Sequence, residues 1–442
     1  MVLTLLLEAC KMNACMVSAF KLEAHRSPRP PRFDDVRKVI LIVSASRSGS
    51  SAVAEWLRAQ PGLLHLGGEL KPILRLAGVS DSSGDDGSDV LNELPHSIMP
   101  AFEREFFKRL GTVPEASADI RPRELVDNVL LSFRCQWPEI AFDGEQIQTW
   151  VVESLGRLGW NKVGDFDSVE FTTELLRHVV EKHPSICPYR YDLPSWKVGC
   201  HFPDRTIPAG PLPGRLIEET PFVLPRMWRQ VHAGDLQNRT VVIKDPSNIY
   251  RMGLIRRVFA KAEIRVIHLV RNPAASINGL LDGWEHRNFF SHRTCKPLNI
   301  RGYSDRFSWA SHWWKFDLPL GWQAFRNSSL GEVCAFQWAA TNKRIIEETA
   351  GLGRAAKKLK FEDFIEKGLR GCEVRQDLLN WLGIRNSDAA FLDCPRPVMV
   401  TNRPAPYRWR SRESLIMEFV KNASELLCPE ELGYERVIDA WR

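Results

Sequence analysis

The run Lys-Val-Ile-Leu-Ile-Val over 38–43, followed at once by Ser-Ala-Ser-Arg-Ser-Gly-Ser-Ser over 44–51, constrains the fold more than any other part of the chain. A short, β-branched, almost wholly apolar segment reads as a strand buried on both faces, the habit of a parallel sheet covered by helices. The period then changes: Val53, Trp56 and Leu57 share one face of a helix expected over 51–59, and Pro61-Gly62 stops it. Between strand and helix, Gly49 and small serines leave backbone N–H groups open at a helix N-terminus, which suits phosphate. Taken alone, such a loop is also simply a turn.

The rest of the chain repeats the alternation. Strands are expected at 63–66, 240–245, 265–270 and 359–361, and helices near 247–260, 273–283, 334–350, 373–382 and 412–426. The class is therefore α/β with a central parallel sheet. Residues 1–36 form an N-terminal extension with a Pro-rich stretch at 26–35. Two segments exceed simple connections: 80–238, helical but irregular, opening on a Ser/Asp/Gly loop at 80–89 and Pro/Gly-rich at 203–221, and 285–333, which carries Trp309, Trp313, Trp314 and Trp322.

Composition narrows the function. A net charge of +6 over 442 residues suits an anionic ligand, and without any Lys/Arg block interleaved with aromatics it implies no nucleic acid partner. Ten cysteines without a CxxC pair imply neither zinc nor a disulfide scaffold, so no metal is expected and reduced thiols fit a cytoplasmic protein. The longest aliphatic run, 39–43, implies no transmembrane segment. Glu8 and Lys11 interrupt a secretory signal, while Leu3, Leu6, Leu7 and Cys10 at helical spacing leave organelle targeting as an alternative.

Ligands of open parallel sheets bind beyond the carboxyl ends of the strands. There the sequence places Ser46–Ser51, Gly68-Glu69, Lys244-Asp245, Arg271-Asn272 and Glu362-Asp363. Three cations and one early carboxylate, Glu69, at one edge make a polyanion site with a base beside it. GxxxxGK[ST] is absent, which argues against a phosphotransferase.

The segment ILIVSASRSGSSAVAEWLRAQPGLLHLGGE, with VIKDPSNIYRMGLIRRVFAKAEIRVIHLVRNPAASI and LKFEDF downstream, resembles the sulfotransferases, in the branch with an RSGS/T loop. The resemblance implies a P-loop NTPase-like three-layer fold over 37–442, with the two long insertions shaping an acceptor site. It implies transfer of a sulfuryl group from 3′-phosphoadenylyl sulfate (PAPS) to a hydroxyl or amine, leaving adenosine 3′,5′-bisphosphate (PAP). The acceptor class stays open among small molecules, lipids and glycans. By the resemblance, Arg47, Ser48, Gly49, Ser50 and Ser51 hold the 5′-phosphosulfate, Arg271 grips the 3′-phosphate, Lys244 neutralises the transferring group and Glu69 is the base. Where the family has a serine eight residues after that arginine, this chain has Gly279, preceded by Asn278, and Asn272 replaces the common aspartate. Asn278 or a backbone N–H then substitutes, or the 3′ grip is weaker; the alternative function is a catalytically silent PAP-binding protein in which Gly279 marks decay of the donor site. From PAPYRWRSRES (404–414) and its flank, Arg403, Arg408 or Arg410 is expected at phosphate.

Plainer readings stand beside these. Glu69 also fits a helix cap. His65 and His268 read as core residues, and His286 or His292 as an alternative base. Asp245 and Asp363 read as loop holders or helix caps, Cys334 as buried, and Arg256, Arg257 and Lys261 as a solvated face. The tryptophans read as core first and as an acceptor-stacking surface second.

Overall fold

β1 (Lys38–Val43) forms as its composition requires, with every residue after Lys38 buried. Its side chains alternate: Val39, Leu41 and Val43 enter one hydrophobic cluster, Ile40 and Ile42 the cluster on the opposite face. The computed structural model describes residues 29–79, 87–211, 223–286, 289, 291–385, 392–395 and 397–435. The expected helix around Leu3–Cys10, most of the 80–89 loop and the end of the Pro/Gly-rich stretch lie outside the described residues.

The further strands are β2 (Leu63–Leu66), β3 (Leu110–Thr112), β4 (Arg229–Gln230), β5 (Thr240–Lys244), β6 (Glu263–Val270), β7 (Ser291–Arg293), β8 (Trp313–Lys315) and β9 (Ala356–Lys360). β7 and β8 form a separate ribbon, and the other seven make one sheet in the order β4-β3-β2-β5-β1-β6-β9. β2, β5, β1, β6 and β9 are parallel, and Ile40 lies between Val242 and Arg265. β3 and β4 add an antiparallel edge, so the sheet is mostly rather than wholly parallel. Strands of three and two residues are too short to leave a pattern in the sequence.

α1 (Ser50–Arg58) packs Val53, Trp56 and Leu57 against Ile40 and Ile42, and α2 (Leu70–Leu76) and α3 (Met99–Arg109) cover the other face. The chain then departs into α4 (Pro122–Gln136), α5 (Gly144–Leu158), α6 (Ser168–Lys182) and α7 (Ser195–His201), which share their own core around Phe133, Phe171 and Leu175. α8 (Met252–Val258) follows β5 and α9 (Pro273–Glu285) follows β6. After α10 (Leu330–Thr349) come α11 (Phe361–Phe364), α12 (Leu369–Leu382) and α13 (Glu413–Ser424). α9, α10 and α13 enclose Trp284, Trp314, Trp322, Trp338 and Trp409, all at most 1% exposed. Trp314 and Trp322 are thus core, while Trp309 and Trp313 are partly buried.

Local chemistry explains two shifted boundaries. The turn expected to open a helix at 247 is a 3₁₀ segment, Pro246–Arg251, because Asp245 accepts from Ser247 N and Oγ (2.9 and 2.8 Å) and from Arg251 Nη1 (3.2 Å). α10 starts at Leu330 rather than 334 because Ser329 and Glu332 form a capping box. His65 and His268 are core residues: burial drives their pKa values down to about 3 and about 4, so both are neutral. Cys334 is buried, and Arg256, Arg257 and Lys261 pair at the surface with Glu348, Glu93 and Asp34. Among the described residues no helix is long and apolar enough to cross a membrane.

Gly331 lies where α10 meets α13, and a Cβ there would sit 1.9 Å from the Phe419 ring. Alanine ordinarily favours a helix by about 1 kcal/mol over glycine. Here Gly331→Ala is expected to lower stability by about 1–3 kcal/mol through overpacking. The urea midpoint should fall and recover when Phe419→Leu is added; a stabilised single variant contradicts the close packing.

Candidate active site

The loop after β1 is held in a conformation its residues adopt reluctantly. Gly49 has φ +94°, and a Cβ on it would lie 2.2 Å from the Phe361 ring, so only glycine fits. Arg47 is non-glycine with φ +67°. Ser46 Oγ donates to Asp317 Oδ1 at 2.7 Å, and the Arg47 carbonyl accepts from Arg271 Nη1 at 3.1 Å. Ser48 is buried beneath the turn, and Ser51 Oγ donates to Met399 Sδ at 2.9 Å.

The Arg47 side chain runs along α9. A Cβ at Gly279 would be 3.3 Å from Arg47 Cβ, and one at Gly283 would be 3.5 Å from Arg47 Cδ. This close approach gives position 279 a packing reason to be glycine. Arg47 Nη1 donates to Met399 O at 3.1 Å, Nη2 to Thr401 Oγ1 at 3.4 Å, and the guanidinium lies 4.6 Å from the centroid of Phe289. Burial, then Arg271, push its pKa down to about 10, which still leaves a cation at neutral pH. Its Nε is buried without a hydrogen-bond partner among the described residues. An unmet buried donor costs about 1–3 kcal/mol, and an anion would supply the acceptor.

Glu69 stands at the N-cap position of α2, but its side chain makes no capping bond and instead pairs with Lys244 Nζ at the end of β5. The capping role is therefore not realised. Burial raises the Glu69 pKa, Lys244 and Lys71 oppose the rise, and Asp245 adds to it. Beneath this pair, Lys71 Nζ contacts Asp89 Oδ1 and His292 Nε2, each at 2.9 Å. Arg251 bridges Asp89 (3.4 Å) and Asp245 (3.2 Å), so Asp245 holds its loop as expected.

On the far side, Arg271 lies 5.2 Å from the Phe361 ring centroid, and burial lowers its pKa against the pull of Glu362. Asn272 caps α9 by accepting from Ala275 N (2.7 Å), while its own N and Nδ2 both donate to Glu362 Oε1 at 2.9 Å. Tyr434 donates to the other Glu362 oxygen at 2.8 Å. An aspartate at 272 would set two carboxylates face to face, which accounts for the amide. Asp282 pairs with Arg408 at 2.5 Å and Arg412 at 3.1 Å, and Arg412 also reaches Asn278 Oδ1 at 3.4 Å.

These segments enclose one cleft of about 1130 Å³, above the roughly 300–1,000 Å³ usual for small-molecule sites. Arg47, Gly49, Ser50, Ser51, Glu69, Lys244, Arg271, Asn278, Gly279 and Arg408 all line it. Ser48 does not, because it supports the loop from within. Arg403 and Arg410 are exposed outside the lining, with Arg410 stacked on Tyr407 and Trp409. His286 and His292 do not line the cleft either, and His292 meets Lys71 and the Phe316 carbonyl instead. The segment 285–333 contributes Phe289, Phe316 and Asp317, whereas the described residues of 87–238 contribute none. Among the described residues no His/Cys/Asp/Glu group could hold a metal ion.

Sequence reasoning missed Asp317 and Lys71. Lys71 stands two residues after Glu69 in a stretch with no motif to mark it. Asp317 follows the aromatic run WWKF with no strand or turn pattern to mark it. Burial pushes the Asp317 carboxyl up to about 7, with Asp89 and Asp245 adding and Ser46 and Lys71 opposing.

Residues 39–317 match the model of the Sulfotransferase family. No curated protein matches the chain. Among solved structures, a sulfotransferase domain from the curacin biosynthetic pathway is similar at 12% identity over 88% of this chain and 98% of that one, with a TM-score of 0.29. The sulfotransferase domain of a Synechococcus olefin synthase is similar at 12% identity, 93% and 99% coverage and a TM-score of 0.29. A sulfotransferase from Mycobacterium tuberculosis is similar at 13% identity, 88% and 77% coverage and a TM-score of 0.35.

Asn272→Asp should keep the cap but oppose Glu362. At pH 8 a loss of about 1–3 kcal/mol is expected from the missing donor and the repulsion. Facing carboxylates raise each other's pKa, so the deficit should be small at low pH and grow as pH rises through the raised value. Thermal melts at pH 4.5 and pH 8 check this, and a deficit independent of pH refutes it.

Proposed function

The chain belongs to the sulfotransferase family, and we propose that it moves a sulfuryl group from PAPS to a hydroxyl or amine of an acceptor that is a small molecule, lipid or glycan. The observation that carries this reading is the convergence of Arg47, Glu69, Lys244 and Arg271 from four parallel-strand ends on one cleft.

In-line transfer needs donor and acceptor held collinear and charge on the leaving oxygen stabilised. As the acceptor oxygen or nitrogen bonds to sulfur, the bond from sulfur to the 5′-phosphate oxygen breaks, and PAP leaves carrying that electron pair. Arg47 and Lys244 neutralise the leaving phosphate, and Arg271 holds the 3′-phosphate, assisted by Arg408 and Asn278. Glu69 takes the acceptor proton. Lys244 and Glu69 begin as an ion pair. When Lys244 turns to the donor, Glu69 loses its counter-charge in a buried site and becomes a stronger base, so donor binding itself arms the base. Phe289, Phe316 and Asp317 wall the acceptor side.

Calorimetric titration should show micromolar binding of PAP and none of ATP–Mg²⁺; the reverse preference, or silence to both, removes the donor assignment. Arg271→Ala should weaken PAP by about 10–100-fold, the worth of a charged hydrogen bond, and adenosine 5′-phosphate far less. With labelled donor and an acceptor panel, Glu69→Gln should cut turnover by about 10²–10⁴-fold while leaving PAP affinity nearly intact. The wild-type rate should rise with pH as Glu69 loses its proton, with the inflection above the ordinary carboxylate range. That limb should vanish in Glu69→Gln.

A further inference from the structure

We propose that Asp317 is a positioning residue for the donor loop: its carboxyl holds Ser46, the residue before Arg47, against the acceptor wall, and so fixes the loop in its phosphate-receiving form. The proposal rests on the reading of Ser46–Ser51 as the donor loop.

The anchor is rigid before it reaches the loop. Trp314 Nε1 donates to Asp317 O at 2.9 Å, and Gln337 Nε2 donates to Lys315 O and Asp317 O at 2.8 and 2.9 Å. Leu318 N donates to Asp89 Oδ2 at 2.9 Å, and His292 Nε2 lies 3.0 Å from Phe316 O. These bonds over-determine a turn in which Phe316 itself has φ +65°. From it the Asp317 side chain, 3% exposed, reaches out with both oxygens engaged. Oδ1 accepts from Ser46 Oγ at 2.7 Å and Oδ2 from Thr341 Oγ1 at 3.2 Å, and Thr341 is in turn 2.9 Å from Tyr250 OH.

The loop needs such a hold. Arg47, with its left-handed backbone, is gripped behind by Arg271 on its carbonyl and ahead of itself by the Ser46–Asp317 bond. Residues in that region persist only when their surroundings fix them. Ser46 is 5% exposed, so its hydroxyl cannot exchange Asp317 freely for bulk water. One side chain thereby sets the donor loop against the wall that receives the acceptor, across 271 positions of sequence.

A double-mutant cycle read by calorimetric titration with PAP tests this. Ser46→Ala and Asp317→Val should each weaken PAP about tenfold, and the double variant no more than either alone, because both remove one bond. Asp317→Asn, whose Oδ1 accepts the same hydroxyl, should stay within about threefold of wild type. Independent losses that multiply in the double variant overturn the proposal, as does Ser46→Ala binding like wild type or Asp317→Asn binding as weakly as Asp317→Val. Should Asp317→Val fail to fold, Ser46→Ala and Asp317→Asn still decide. Wild type that does not bind PAP at all overturns the donor reading and this proposal with it. Wild type that binds, with an additive cycle, overturns the positioning role alone.

Discussion

The burial of β1 on both faces is the constraint from which the site follows. A strand with apolar residues on both sides must be flanked by strands of similar character and covered by two helical layers. β5 and β6 meet that need as parallel neighbours, and the crossovers that parallel pairing demands return every chain segment to the same edge. Lys244 and Arg271 therefore flank the loop after Val43 because of how β1 is packed. The polar end of each apolar strand is delivered to one place.

At that edge charges are met in pairs. Glu69 faces Lys244, Asp282 faces Arg408 and Arg412, and Asp245 and Asp89 share Arg251. The pairing sorts the carboxyls by environment. Burial pushes Asp89 up, yet Lys71, His292 and Arg251 together hold it well below the ordinary range. Asp317, equally buried but met by hydroxyls and by other acids, moves in the opposite direction. Carboxyls in one connected network thus differ in proton affinity because one is ringed by cations and the other is not.

Much of this was legible in the sequence wherever period and polarity change together. The strand ends carrying Arg47, Glu69, Lys244 and Arg271 were found because an apolar run stops abruptly at a polar or glycine-bearing segment. The Ser329/Glu332 cap is written in the sequence as Ser-x-x-Glu and marks a helix start at Leu330. Asp317 was not legible, since its importance lies in a bond to Ser46 that no local pattern encodes. The reason for Gly279 was hidden likewise: it depends on where Arg47 Cβ lies, which only the packing of α9 on the loop decides. Arg408, rather than Arg410, lines the cleft because Asp282 draws it there, while Arg410 rests on aromatic faces.

The roof of the cleft has a consequence for folding. Arg47 binds Met399 and Thr401, and Tyr434 secures the Glu362 that faces Asn272, so the edge is complete only when segments near both ends of the described chain have met. A half-folded chain offers no such cleft to a ligand. A ligand that binds only the finished edge shifts the balance towards the folded state by mass action, in proportion to the logarithm of its concentration over its dissociation constant. Its cellular supply would then govern how much of the protein survives as well as how fast it works.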